Sequence, residues 1–398
     1  MPVLIVYLVF FFYSVGYNIF GTLASEIMLS KALAIDEAGL MQSFLQIGAV
    51  SGILFSSFLA KRFTSKKVLM FGMLVASLAL ILFFFNPAWG LMLLIYACFG
   101  FGGFFLDSGS NAYLSDYFKD KRGKYIPLLH FTYSLGALSC GYLILPFKGE
   151  NWFKGYGFVG VVILFFFVLA LVFQNKNKTA CAVPQKEVLS KIKAFTSKEI
   201  LSNKLFLLYC FALMLYMTSQ QTCSNWFPLY MEEKFTSYET IASATTLCFW
   251  SGIAIMRLLS GFILDKGFSP LKMCIVGMGL SGVFQLLSLC VNNAIIAFVF
   301  ILLCGLFAGA TIPCFIVEVT GWYPNNTSFV SFFYLFCGSV GRLIIPYLVT
   351  VVAATIGLRL GLIYSTGLLF LGSVISLFVY TKKYKKQREV NYGKRKFD

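Results

Sequence analysis

The sequence predicts an all-α membrane protein: twelve transmembrane helices in two pseudo-symmetric six-helix bundles. Three observations predict it. The chain is 59% hydrophobic and only 12% charged over 398 residues, a composition outside the range of soluble domains. Apolar windows of about 20 residues, enough to cross a bilayer core of roughly 30 Å, recur along its whole length. Short signatures also return 200 residues apart, Ser51-Gly52-Ile53 as Ser251-Gly252-Ile253 and Gly141…Pro146 as Gly341…Pro346. Each pair falls in the second or fifth segment of a run of six, so the halves read as a parallel internal repeat, the plan of a rocking secondary transporter.

In order, the first half has windows near 3–24, 38–60, 68–86, 89–114, 126–147 and 155–174. The second half has them near 204–231, 240–264, 271–291, 293–318, 326–351 and 359–381. The expected domains are a bundle over 1–174, a linker over 175–203, a second bundle over 204–381 and a basic tail over 382–398. The first segment has no basic residue ahead of it, and removing it would break the repeat, so it reads as a span and not as a cleaved leader. The linker carries lysines from Lys176 to Lys198 and is interrupted by Pro184. Its stretch from Gln185 to Leu201 predicts a short amphipathic helix on the membrane surface. The remaining loops are short, so successive helices are expected to be antiparallel neighbours. The third, sixth and twelfth segments hold almost nothing polar and suit lipid. The first, fourth, fifth, seventh and eleventh carry the polar load and are expected to line the centre.

The net charge is +16, but its placement points to a bilayer and away from nucleic acid. Of the 32 Lys and Arg, 25 fall in the even-numbered loops and the tail and 5 in the odd-numbered loops. The positive-inside rule then puts both termini in the cytoplasm, in a multi-pass protein of the cytoplasmic (inner) membrane. Clusters such as Lys61-Arg62, Lys66-Lys67, Lys119 to Lys124 and Lys382 to Lys396 also suit anionic lipid. No GxxxxGK[ST] loop occurs, which argues against ATP-driven transport. So little chain lies outside the spans that a catalytic domain, and hence an enzyme, is not expected. The 11 cysteines lie in apolar spans apart from Cys181 and form no CxxC. They read as small apolar side chains, so neither metal nor cofactor is expected. Sequons at Asn177 and Asn325 fall in loops on the cytoplasmic side.

Asp107 is the sharpest candidate, an acid inside the fourth span in Leu106-Asp107-Ser-Gly-Ser-Asn111. At that depth it must be neutralised by a proton or a partner, which suits proton binding and release. Asn111, one turn on, shares its face. The first span carries Ser14, Asn18, Thr22 and Glu26 as one polar stripe, and Gln46 adds an amide to the second. In the seventh, Gln220, Gln221, Ser224, Asn225 and Trp226 set amides beside a ring. That combination suits a hydroxyl-rich ligand. His130, the only histidine, is a candidate proton relay or partner of Asp107. Arg342 in the eleventh span either neutralises Asp107 or Glu26 or binds an anionic solute. Tyr133, Trp250 and Tyr334 add possible cavity surface, and Arg257 with Asp265 reads as a gate or a structural charge cluster near the end of the eighth span.

These residues resemble the major facilitator superfamily over essentially the whole chain. Gly261-Phe-Ile-Leu-Asp265-Lys266 is similar to its loop between the second and third helices of a half, whereas Ser57 to Arg62 departs from that pattern by carrying Lys in place of the acid. Within the superfamily the chain resembles the fucose:proton symporters and related bacterial hexose transporters. Four segments carry this likeness: Ala38-Gly39-Leu40-Met41-Gln42-Ser43, Leu106 to Ala112, Leu129-His130…Gly136-Ala137, and Tyr216-Met-Thr-Ser-Gln220-Gln-Thr-Cys223…Tyr230…Glu232-Glu233. The resemblance implies that Asp107 is a protonation site and Gln220 a cavity position, with His130 standing where that family has Gln. Thr22 appears where it has a second coupling Asp. Glu26 then takes over, or coupling runs on Asp107 alone, or the chain is a uniporter.

The expected function is symport of protons with a small hydroxylated solute, a hexose foremost, by a monomer. Asp107, Glu26 and His130 are the proton candidates. Asn18, Gln46, Asn111, Tyr133, Gln220, Gln221, Asn225, Trp226 and Arg342 are the solute candidates. The alternatives are a proton-coupled exporter of drugs or metabolites and an organic-anion carrier centred on Arg342.

Overall fold

The computed structural model describes residues 1–60, 63–118, 122–173, 197–236, 240–324 and 326–394, and every regular element among them is helical. The first half comprises α1 (Val3–Lys31), α2 (Ile35–Ala60), α3 (Ser65–Ile81), α4 (Trp89–Tyr117), α5 (Arg122–Ile144) and α6 (Trp152–Val172). A short α7 (Ser197–Ser202) precedes α8 (Lys204–Lys234), α9 (Ile241–Asp265), α10 (Pro270–Cys290), α11 (Ala294–Gly309), α12 (Thr311–Trp322), α13 (Thr327–Ile356) and α14 (Leu358–Lys394). Among the described residues eleven stretches are long and apolar enough to cross a membrane. The seventh span, α8, falls outside that group because the run from Thr218 to Asn225 dilutes its apolar character. Most of the linker, including most of the expected Gln185–Leu201 helix, lies outside the described residues, as do Lys61-Arg62, Lys119 to Lys121, Cys181 and both sequon asparagines.

Local chemistry sets the boundaries. The Asn203 side chain accepts from the backbone N–H of Leu205 and Phe206 and so caps α8, and Asn293 caps α11 through Ile296. Pro146 follows the end of α5 at Ile144, whereas its repeat partner Pro346 stays inside an unbroken α13. Gly357, at φ +97°, turns α13 into α14. The tenth span is split: α11 ends at Gly309 and α12 begins at Thr311. Pro313 explains the break, because it lacks an N–H and its ring crowds the carbonyl four residues back, at Gly309. Several helices overrun their apolar windows. α1 reaches Lys31, and α14 continues without a break into the basic tail as far as Lys394.

The repeat is visible in packing. α1 packs on α5 and α6, α2 on α4, and α3 on α4 and α6; the second half repeats this as α8 on α13 and α14, α9 on α11, and α10 on α11 and α14. Gly100 of α4 sits against the Leu45 main chain of α2, and Gly305 of α11 against the Phe249 main chain of α9, so either Cβ would strike a carbonyl. These are the same close crossing built twice from small residues. The halves meet along α2 and α13, α5 and α9, and α1 and α8. The first two pairings are one pairing related by the repeat. α3, α6, α10 and α14 turn large apolar side chains outward, among them Leu78, Phe165, Val276 and Val374.

Hydrogen bonds between the halves are distributed unevenly. Ser243 Oγ donates to the Gly141 carbonyl at 3.0 Å and Ser43 Oγ to the Leu343 carbonyl at 2.9 Å, both toward the end away from the chain termini. Toward the termini end Arg257 Nη1 of α9 donates to Ser134 Oγ of α5 at 2.8 Å, and beyond that bond Leu128 and His130 of α5 stand exposed. The bundle is thus closed at its far end.

Candidate functional site

The centre of the bundle is joined by a relay through four helices. Trp250 Nε1 of α9 donates to Ser224 Oγ of α8 at 3.1 Å, and Ser224 Oγ donates to Asn18 Oδ1 of α1 at 3.0 Å. Asn18 Nδ2 donates in turn to the Ser14 carbonyl at 2.8 Å, and Ser14 Oγ to the Tyr133 carbonyl of α5 at 2.6 Å. Tyr133 packs edge-on to Trp250 at 5.9 Å between ring centroids and also meets Tyr13 and Tyr17. Gln46 Nε2 donates to the Tyr17 hydroxyl at 2.7 Å. The polar stripe of α1 is therefore buried because α5 and α8 supply its partners, as intramembrane polar groups require.

Asp107 Oδ1 accepts from Asn111 Nδ2 at 2.8 Å, the pairing expected one turn apart. Arg342, on α13 of the other half, is an electrostatic neighbour of Asp107, yet the two do not form one of the ion pairs among the described residues. Arg342 has a hydrogen bond to Ser339 Oγ at 3.4 Å, and its buried Nε has no partner. Tyr13 feels the charges of both Asp107 and Arg342. An acid of one half and a guanidinium of the other thus lie within electrostatic reach of one another and of Tyr13.

Other candidates lie elsewhere. His130 packs edge-on to Phe10 at 6.0 Å and neighbours Arg257; no hydrogen bond joins it to Asp107. Gln220 lines a small crevice inside the second half with Tyr216, Ser219, Phe249 and Ser281, too tight for a solute. Gln221 Nε2 donates along α8 to Asn225 Oδ1 at 3.1 Å, and Asn225 Nδ2 is buried without a partner. Trp226 is fully buried and meets Phe20 at a near-right angle, 5.4 Å between ring centroids, so it offers no open surface to a solute.

Glu26 belongs to the far end. Lys148, in the turn between α5 and α6, lies 3.6 Å from Glu26 and 2.8 Å from Glu232 of α8. Ser25 Oγ stands 2.9 Å from a carboxylate oxygen of each acid. Burial alone would lower the Lys148 pKa, but the Glu232 and Glu26 carboxylates outweigh it and hold the value above normal. The cation opposite Glu26 is Lys148 and not Arg342, for the simple reason that Arg342 sits at mid-bundle.

Arg257 is the residue that sequence reasoning underrated. It makes no ion pair with Asp265; instead Nη1 donates to Ser134 Oγ of the first half at 2.8 Å, and the guanidinium lies 5.9 Å from the Trp250 ring. Its signal was plain: an arginine eight residues inside the end of a span is costly unless it has a role there. Glu318 was also passed over. It is buried, accepts from Trp322 Nε1 at 2.8 Å and pairs with Lys383, an anchor between α12 and α14.

A family model described as Major Facilitator Superfamily matches residues 6–236 and again 209–396. The chain belongs to the major facilitator superfamily. It is therefore a multi-pass membrane transporter by family. Among curated relatives it is similar to the glucose/mannose transporter GlcP of Bacillus subtilis, 25% identical over 260 residues, which span 64% of each chain, a little under two thirds of GlcP. It is 22% identical to the inner membrane transport protein YdiN of Escherichia coli over 100% of this chain and 94% of YdiN. Among solved structures, the nucleoside transporter NupG aligns with a TM-score of 0.78 at 12% identity over 95% of this chain and 99% of that one. A bacterial homologue of the human lysosomal transporter Spinster, inward-facing and unoccupied, aligns at 0.75 with 13% identity over 95% and 96%. These superfamily structures share the fold with this chain.

Proposed function

We propose that the protein is a secondary transporter of the cytoplasmic membrane that carries a small hydroxylated solute of hexose size together with a proton. Residues 1–174 would rock against 204–381 around the central relay, with both termini in the cytoplasm. The observation that carries this reading is Asp107, an acid within a span, held by Asn111 and facing Arg342 across the halves. A proton on Asp107 removes the charge that Arg342 answers, so protonation and the arrangement of the other half are linked by electrostatics. Asn18, Tyr133 and Trp250, tied together through Ser224, offer amide, hydroxyl and ring surface to a sugar-like body. The name of GlcP, a glucose/mannose transporter, supports the hexose scaffold.

The concentration of Lys and Arg at the termini end makes that end cytoplasmic. The closed far end is then external and the conformation inward-facing. With Glu26 tied to Lys148 at that end, Asp107 is the sole coupling group in this reading. The test is uptake of labelled hexoses and hexose derivatives by proteoliposomes. Asp107→Asn should abolish proton-driven accumulation while leaving solute exchange; unchanged uphill uptake in that variant would sink the reading.

A further inference from the structure

Arg257 carries a charge that no described acid answers. Its one hydrogen bond goes to a neutral hydroxyl, Ser134 Oγ at 2.8 Å, and its ring neighbour is Trp250. Its electrostatic neighbours are the phenols of Tyr133 and Tyr216 and the imidazole of His130. The cations in ion pairs among the described residues are Lys148 and Lys383. A half-buried guanidinium inside a span is costly without a counter-charge, and no acid among the described residues pairs with it. Arg257 nevertheless stands at the solute site, bridging from α9 to α5 beside the Trp250–Tyr133 pair, on the route opened by the exposed His130.

We infer that Arg257 seats an anionic group of the solute, and that the cargo is a sugar acid, a hydroxylated monocarboxylate moved with one proton in an electroneutral cycle. This rests on the proposed solute site and names the class of solute it takes.

Charge balance across the cycle carries the second half of the inference. In the empty site Asp107 is matched by Arg342, and Arg257 leaves one positive charge over. When Asp107 takes a proton, Arg342 loses its counter-charge, and its unpartnered buried Nε becomes available. A carboxylate placed between the two guanidinium groups restores the balance, leaving one positive charge again. The empty and loaded carriers then cross the membrane equally charged, so a membrane potential does no net work on the cycle. A neutral hexose carried with a proton would instead add a second uncompensated charge to a centre that is already positive. Arginine suits the task because its planar fork binds a carboxylate through two parallel hydrogen bonds.

The test uses the full chain in proteoliposomes with labelled gluconate and labelled glucose, while a pH gradient and a valinomycin-set potassium potential are imposed separately. The expected result is gluconate accumulation driven by an acid exterior and unchanged by the potential. Arg257→Gln should lower that uptake at least tenfold, and Arg257→Lys, which keeps the charge, should retain more of it; both variants are checked for monodisperse elution and unchanged thermal unfolding. The wild-type readout needs no variant. Glucose accumulation driven by an interior-negative potential and not inhibited by gluconate overturns the inference while leaving the proposed function standing. Gluconate uptake that follows the potential, or that survives Arg257→Gln, also overturns it. Flux of neither compound overturns both.

Discussion

Lys148 and Glu232 form a 2.8 Å ion pair that ties the turn between α5 and α6 to α8, and so fastens one half to the other at the far end. Glu26, 3.6 Å from the same ammonium, belongs to the same half as Lys148. Separation of the halves there would cost Glu232 its cation and its Ser25 contact but leave Glu26 paired.

Glu232→Gln should therefore favour opening at the far end. The side chains of Lys148 and Glu232 are 19% and 21% exposed, so the pair should contribute about 1 kcal/mol, the upper end for partly solvated pairs. That predicts about a fivefold rise in the far-end-open population. Spin-label distances between Glu150→Cys and Thr240→Cys, on a background without native thiols, would measure it; an unchanged distribution contradicts the latch.

The same latch has a pH signature. The Lys148 pKa is raised in the closed form, so its contribution is fully present below the value of a free lysine and is lost as pH rises through the raised value. The spin-label distances should report no loss of the lysine's contribution through neutral pH and should lengthen above about pH 10.4. Lengthening on the alkaline side that begins near neutrality would assign the closure to another group.

The Trp250–Ser224–Asn18 relay should behave as one unit. Ser224→Ala leaves Trp250 Nε1 buried without an acceptor, a loss of about 1–3 kcal/mol. Trp250→Phe should cost less in that background than in the wild type, giving a coupling of roughly 0.5–1.5 kcal/mol in a thermal-unfolding double-mutant cycle. Additive losses would mean that the two groups do not depend on each other.

Gly305→Val should be among the most damaging apolar substitutions, because its Cβ meets the Phe249 carbonyl. Overpacking of this kind costs about 1–3 kcal/mol or more. Gly261→Ala meets nothing within 4 Å in the same pair of helices and should stabilise by up to ~1 kcal/mol. Thermal stability in detergent distinguishes them; equal effects would remove the glycine crossing as a determinant of the fold.

Much of the architecture was legible because a bilayer imposes one simple rule, an apolar run of fixed length with its backbone satisfied internally. The repeated Ser-Gly-Ile and Gly…Pro signatures pointed to the two-fold repeat, but not to the pairing of α2 with α4 and α9 with α11, since short loops suggested that successive helices would be the neighbours. The Asp107–Asn111 hydrogen bond was legible too, since four-residue spacing is local geometry. The split at Ala310 was not singled out, although Pro313 carries its cause. The sites were less legible. Gln220 and Trp226 share α8 with Ser224 and have similar polarity, and only their rotation about the axis separates crevice, covered face and relay.

By itself the sequence determined that this is a twelve-span, two-fold repeated membrane protein, and which few polar groups must be hidden from lipid. Tertiary structure alone decided how those groups are matched. It gave Lys148 to Glu26 and Glu232, set Arg342 opposite Asp107, and carried Arg257 across to Ser134 without an acid. The physical reason is that burial cost is written into each residue, whereas its compensation depends on the distance and direction of groups more than 100 positions away in the chain, which exist only once the helices have packed.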